Sequence, residues 1–193
     1  MRIPSILVCA LSVLSSSGAE PGTRLEEAVY KLKWSFVSVG SVTMTLDAIE
    51  PGVRSGALEA KANAFMRTVH DFHTIISTRF PEGAGKSIGY SREEKSTGNF
   101  HQTFFDWDSM TVRYSKNRDT RVPLPLPGDA HDPLSVVYAF RSPHFPLETG
   151  VEWMTVSDGK AVYRARFEIF DPETVKTPAG KFTARKVTAD FGD

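Results

Sequence analysis

The chain has 193 residues, with 23 Lys+Arg against 23 Asp+Glu and a formal net charge of zero. Such a balance makes no electrostatic case for nucleic acid or for an anionic membrane surface, so neither is expected as a partner on charge alone. The single cysteine, Cys9, lies so early that a disulfide framework or a thiol nucleophile is excluded from the body of the chain.

Residues 1–19 read as a cleaved signal peptide: Arg2 is the positive end, Ile3 to Leu14 the apolar run, and Ser17-Gly18-Ala19 the small residues at the cut. The run is too short for a membrane-spanning helix, which needs about 20 apolar residues. No transmembrane segment is therefore expected after cleavage, and a periplasmic or secreted location is. Residues 20–193 are read as a single β-rich domain, a normal size for one core.

From Tyr30 onward the pattern has period two, the mark of half-buried strands. Tyr30, Leu32, Trp34 and Phe36 share one face, Gly40-Ser41 is read as the reversal, and Val42, Met44, Leu46 and Ala48 resume the apolar side. A third strand carries Leu58, Ala60, Ala62 and Ala64 on one face, and so small a face is met either by a closely packed helix or by a cavity. Phe65 to His73 is a short helix or bend before a strand from Thr74 to Phe80. Ile88 to Lys95 is charged enough to read as an edge or rim strand. Phe100 to Trp107 and Met110 to Tyr114 form a hairpin, and the proline-bearing stretch Asn117 to Ala130 is an extended connection.

Residues 132–141 are the best-specified helix. Asp132 caps the first turn, Pro133 suits the first helical position, Arg141 faces the carbonyl end, and Pro143 and Pro146 forbid continuation. Leu134, Val137 and Tyr138 make one apolar face, and Val136, Ala139 and Phe140 make another almost opposite. A helix apolar on both sides should be enclosed by other elements. Beyond it, Val151 to Val156 and Ala161 to Phe170 flank an Asp158-Gly159 turn, with Tyr163, Ala165, Phe167 and Ile169 on one face. A turn at Thr177-Pro178-Ala179-Gly180 starts a last strand, Lys181 to Phe191. Because the chain stops within that strand, the sheet is expected to lack its final strands.

Three segments in order carry a resemblance: Leu32-Lys33-Trp34 through Val39-Gly40-Ser41, Asp132-Pro133-Leu134-Ser135 with Tyr138 and Arg141, and Thr177-Pro178-Ala179-Gly180-Lys181-Phe182. On these the chain resembles the bacterial exported family known as domain of unknown function 3108. The resemblance implies a secreted or periplasmic antiparallel sheet, similar to the half-barrels of periplasmic lipoprotein carriers, with one or two short helices on the concave face. It brings no catalytic residues with it.

Candidate chemistry is sparse. His70 and His73 on a helix would share a side, but two imidazoles are too few for a zinc site, and the segment reads as a polar turn. His101, His131 and His144 are isolated. Asp106 and Asp108 have the spacing of paired carboxylates yet bracket a turn, where Asp commonly bonds the local backbone. Gly83-Ala84-Gly85-Lys86-Ser87 lacks the first glycine of a phosphate loop. No G-x-S-x-G elbow occurs. No metal, cofactor or catalytic residue is expected, and the chain is read as a non-enzyme. Arg141 is read as an anchor between helix and sheet, with gripping an anionic head group as the other reading. The ligand-lining candidates are Trp34, Phe36, Met44, Leu46, Tyr138 and Arg141, arranged to hold a lipid or other amphiphile on the concave face. The alternative is a structural, partner-binding envelope module with a filled core, using Ile88 to Lys95 to add a partner's strand.

Overall fold

The computed structural model describes residues 20–34, 36–83, 86–145 and 147–191. The expected signal segment 1–19, with Cys9, lies outside the described residues, as do Ser35, Ala84, Gly85 and Pro146.

The alternating stretches become antiparallel strands laid side by side in chain order. They are β1 (Thr23–Trp34), β2 (Val37–Glu50), β3 (Val53–Ala62), β4 (His73–Pro81), β5 (Gly89–Glu94), β6 (Asn99–Asp106), β7 (Thr111–Lys116) and the short β8 (Asp119–Thr120). Each strand runs back antiparallel beside the one before it, by a short connection or, between β3 and β4, by the longer 63–72 connection, so a meander results. A further short strand, β9 (Leu124–Pro125), returns to pair with β7. The sheet curls into a half-barrel. Leu46, Gly56, Thr78, Tyr90, Thr103 and Tyr114 are successive cross-strand partners and form one row across its concave floor.

The second sheet is smaller. Its order is β10 (Ala130–His131), β11 (Gly150–Ser157), β12 (Val162–Thr177) and β13 (Gly180–Asp190), antiparallel except where β10 pairs parallel with β11. Between the sheets lies the helix, α2 (Ser135–Arg141), with Ser135, Val136, Tyr138, Ala139 and Phe140 buried. Its two apolar faces find different partners, as the sequence requires. Leu134 and Tyr138 pack with Phe80 against Met44, Leu46, Leu58 and Ile76 of the half-barrel. Val136 and Phe140 pack against Val156, Ala165, Phe167, Ile169 and Val187 of the second sheet. A third cluster, Phe105, Val112, Leu126 and Ala130, closes the side where β7 meets the extended connection.

Several expectations need correction. The first reversal is not at Gly40-Ser41: Trp34 pairs with Val37, and Gly40 sits inside β2 opposite Ala62. Gly40 is there for space, since a Cβ on it would lie 2.3 Å from the Lys61 carbonyl oxygen. Beyond Leu32, which pairs with Gly40, the next pair is Lys33 with Ser38, leaving Val39 as the extra residue of a bulge. Trp34 and Phe36 themselves stand at the exposed end of the hairpin rather than under the helix. The Ile88–Lys95 segment is not an edge. Its strand, β5, is paired on both sides, with β4 and β6. Alternation and charge describe a strand's faces but say nothing about its lateral neighbours. The Asp158-Gly159 turn is longer than two residues, because Ser157 pairs with Val162. Asp158 Oδ1 organises it by accepting the amides of Lys160 and Ala161. Tyr163, expected to be buried beside Ala165, Phe167 and Ile169, is part-exposed and meets the edge of Phe191.

Candidate functional site

The start of the helix is built on a buried polar knot. Asp132 is completely buried; its Oδ1 accepts the backbone amides of Leu134 and Ser135 at 2.9 Å each, capping the turn that leads into α2. Its Oδ2 accepts the hydroxyls of Thr78, from β4, and Ser87, the latter at 2.8 Å. Ser87 Oγ also meets Ser135 Oγ at 2.7 Å and accepts the Asp132 amide at 2.7 Å. Trp107 Nε1 donates to the Ser87 carbonyl at 2.8 Å, tying the β4–β5 and β6–β7 connections to the same point. Burial pushes the Asp132 carboxyl above its ordinary range while these donors pull it back down.

Further along α2, Tyr138 donates its hydroxyl to the Thr45 carbonyl at 2.6 Å and, more weakly, to Ala57 at 3.3 Å. Burial raises its phenol well above the usual value. Its ring stacks on Phe80 with centroids 5.5 Å apart. Arg141 pairs through Nη2 with Glu26 of β1, so the helix is anchored to the sheet as its charge demands. Its Nε and Nη1 are buried with no partner among the described residues, and its guanidinium lies over the Tyr138 ring.

The ligand-lining candidates therefore separate. Met44, Leu46 and Tyr138 come together under the helix, with Arg141 at its far end, and helix side chains occupy the space beside them. Trp34 and Phe36 stand apart at the β1–β2 tip. The small face of β3 is divided along its length. Gly56 and Leu58 lie under Tyr138, Ala62 lies beyond the helix, and Ala64 leaves the strand to begin α1 (Ala64–Arg67).

Open ground lies beyond the helix, where β1, β2 and β3 meet the 63–72 connection. A groove of about 720 Å³ there has Gly40, Ala62 and Phe72 as its apolar part and Lys31, Lys33, Lys61 and Arg67 as its cationic wall, with Asp71 the acid among the lining residues. Lys31, Ser41, Lys61 and His73 are successive partners across four strands, which sets two of the lysines in one row, on the face opposite the row through Leu46 and Gly56. Glu59 holds His73 at 2.8 Å and Lys61 at 3.6 Å, and the His73 contact holds its carboxyl below the usual range. Lys31, Lys33 and Arg67 have no ion-pair partner among the described residues.

The family model described as "Protein of unknown function (DUF3108)" matches residues 29–193. The chain belongs to that family. No curated protein and no solved structure matches it. The DUF3108 match takes in both sheets, the helix and the groove, and bears out the resemblance carried by the three sequence segments.

Elsewhere in this DUF3108 chain, His70 and Asp71 are exposed on the connection while His73 enters β4. Asp106 accepts the Ser109 amide at 3.1 Å in its turn, and this bond lowers its pKa. No group of three or more His, Cys, Asp or Glu is placed to hold a metal among the described residues. No helix among them is long and apolar enough to cross a membrane. A smaller polar cleft of about 220 Å³ is lined by Arg92, His101, Tyr114, Lys116 and Lys160 together with Glu94 and Asp158. Its charges are largely committed: Glu94 to Arg92, Thr97 and Asn99, and Asp158 to its own turn. His101 Nδ1 meets the Tyr114 hydroxyl, and burial, then Lys160 and Lys116, lower its pKa.

Sequence reasoning missed the groove because its lining comes from four strands and a connection. One local signal was available: Lys31 and Lys33 lead directly into Trp34 and Phe36-Val37, an apolar run at a reversal where polar residues are usual.

Proposed function

We propose that this chain is an exported, non-enzymatic module of the cell envelope that binds an anionic amphiphile in the groove where β1, β2 and β3 meet the 63–72 connection. The carrying observation is the groove in which Gly40, Ala62 and Phe72 adjoin Lys31, Lys33, Lys61 and Arg67. An apolar floor suits an acyl chain, and a cationic wall suits a phosphate or carboxylate head group. Export is supported by the signal pattern of residues 1–19. The interior is a poorer location for the ligand than the sequence suggested, since Tyr138 already fills the concave face above Gly56.

The test is to recover the protein from its native envelope and to analyse extracted lipids by mass spectrometry, beside a K31E/K61E variant. An anionic amphiphile enriched with the wild type and lost from the variant is the expected result. Recovery of none, or of the same lipids from both, refutes the reading.

A second reading is favoured by the filled concave face: a structural module that binds an envelope protein. The edge strand β1, paired only with β2 among the described residues, offers such a partner its free side.

A further inference from the structure

The groove end of the molecule also carries an unusual surface. Trp34 is 75% exposed, Phe36 100% and Val37 52% at the hairpin tip, with Phe65 at 62% and Val69 at 73% on the adjoining connection. Single exposed apolar side chains need no explanation, but a group of them at one end of a molecule does.

The two prominences are held together. The Trp34–Val37 pair closes the tip. Asn63, which caps α1 by accepting the Met66 amide at 2.9 Å, donates its side-chain amide to the Ser38 carbonyl at 2.5 Å. Its backbone amide donates to the Val39 carbonyl at 3.1 Å. The connection bearing Phe65 is thereby bonded to β2 just behind Trp34 and Phe36. Directly behind this apolar front stand Lys31, Lys33, Lys61 and Arg67. The net neutrality of the chain conceals this local excess of cations, against which the acids in reach are Asp71 and the already paired Glu59.

From this order of layers we infer that the β1–β2 tip and the α1 connection form a docking surface for a bilayer containing anionic phospholipid. Aromatic side chains ahead of a belt of Lys and Arg match the strata of a membrane interface. Trp and Phe enter the boundary between acyl chains and head groups, while the long cationic side chains reach the phosphates. The inference stands on Trp34 and Phe36, which do not line the groove, so it does not depend on whether a lipid occupies that groove.

The test is co-sedimentation of the purified protein with vesicles of equal parts phosphatidylglycerol and phosphatidylcholine, and with vesicles of phosphatidylcholine alone, for the wild type and a W34S/F36S variant. Both substituted side chains are exposed, so the variant should keep the wild-type melting temperature. We expect the wild type to sediment with the anionic vesicles, to be released by salt, and to bind phosphatidylcholine weakly, and the variant to bind at least about tenfold less. The inference is overturned if the wild type stays in the supernatant with anionic vesicles or if the variant sediments equally well. It is also overturned if, without vesicles, the protein forms a dimer that W34S/F36S dissolves, because a second copy would then cover the tip. Loss of vesicle binding in W34S/F36S with retention of a co-purified amphiphile separates this surface from the groove.

Discussion

Tyr138 occupies the space that any side chain at Gly56 would need: a Cβ built on Gly56 would lie 2.2 Å from the Tyr138 ring. The strand backbone and the aromatic ring are thus in direct contact, and the ring is fixed by its bonds to Thr45 and Ala57. G56A should lower unfolding stability by about 1–3 kcal/mol, the usual penalty for overpacking a filled core. Y138F should cost about 1 kcal/mol by losing one hydrogen bond. Urea denaturation measures both, and a neutral G56A would mean that α2 can lift from the sheet without cost.

Glu26 and Arg141 form the enclosed ion pair of the fold, with side chains only 10% and 6% exposed. E26A should be costly, about 3–5 kcal/mol, because it strands a guanidinium whose other nitrogens already have no partner among the described residues. A double E26L/R141M variant should recover much of that loss, since apolar replacements remove both charges together. Chemical denaturation of the single and double variants completes the comparison; equal instability of the two would contradict it.

Replacing Asp132 by Ala leaves the Thr78 and Ser87 hydroxyls and two amides without their acceptor, and should cost about 2–4 kcal/mol. D132N should be milder and should alter the pH response. Because burial raises the folded-state pKa of Asp132, its contribution is fully present below the unfolded value of about 4 and is lost as pH rises through the folded value. The stability of D132N relative to the wild type should therefore improve between pH 4 and pH 7. Urea curves at the two pH values test the sign.

His131 titrates in the opposite sense. Burial lowers its folded-state pKa, Asp129 opposes this, and its Nδ1 has no partner among the described residues. The unfolded chain therefore binds the proton first as pH falls below about 6.5, and stability drops. His101 adds to the same trend. Relative to H131Q, which keeps Asp132 and His101, the wild type should lose melting temperature between pH 7 and pH 5. Parallel curves would show that His131 is not the titrating group.

What the sequence made legible follows from the range of its signals. The helix was legible because Asp132, Pro133 and the opposed faces around Tyr138 and Phe140 act within two turns, although it begins only at Ser135, with Asp132 and Pro133 in the turn that leads into it. Antiparallel neighbours such as β2 and β3 followed from alternation, and Pro51-Gly52 forms the turn between them. The errors occur where one residue changes meaning through contact with a distant strand. Gly40 looks like a turn residue and instead admits the Lys61 carbonyl. Val39 drops out of register, and the reversal falls earlier in the chain than Gly40-Ser41 suggests, which leaves Trp34 and Phe36 at its exposed tip. The knot around Asp132 was half visible: the cap was local, but Thr78 and Ser87 lie 54 and 45 positions away, and no periodicity links them.

The position of α2 between two layers also governs the order of assembly. A nascent chain extended as far as Phe145 has all the strands of the half-barrel, and Tyr138 can settle on Gly56. Val136 and Phe140 then still face water, because Phe167, Ile169 and Val187 have not yet been made. Such late, long-range contacts slow folding. The half-formed molecule must carry a sticky helix on its surface until β12 and β13 arrive, which makes this interval the point at which a chaperone or translocation partner has most to protect.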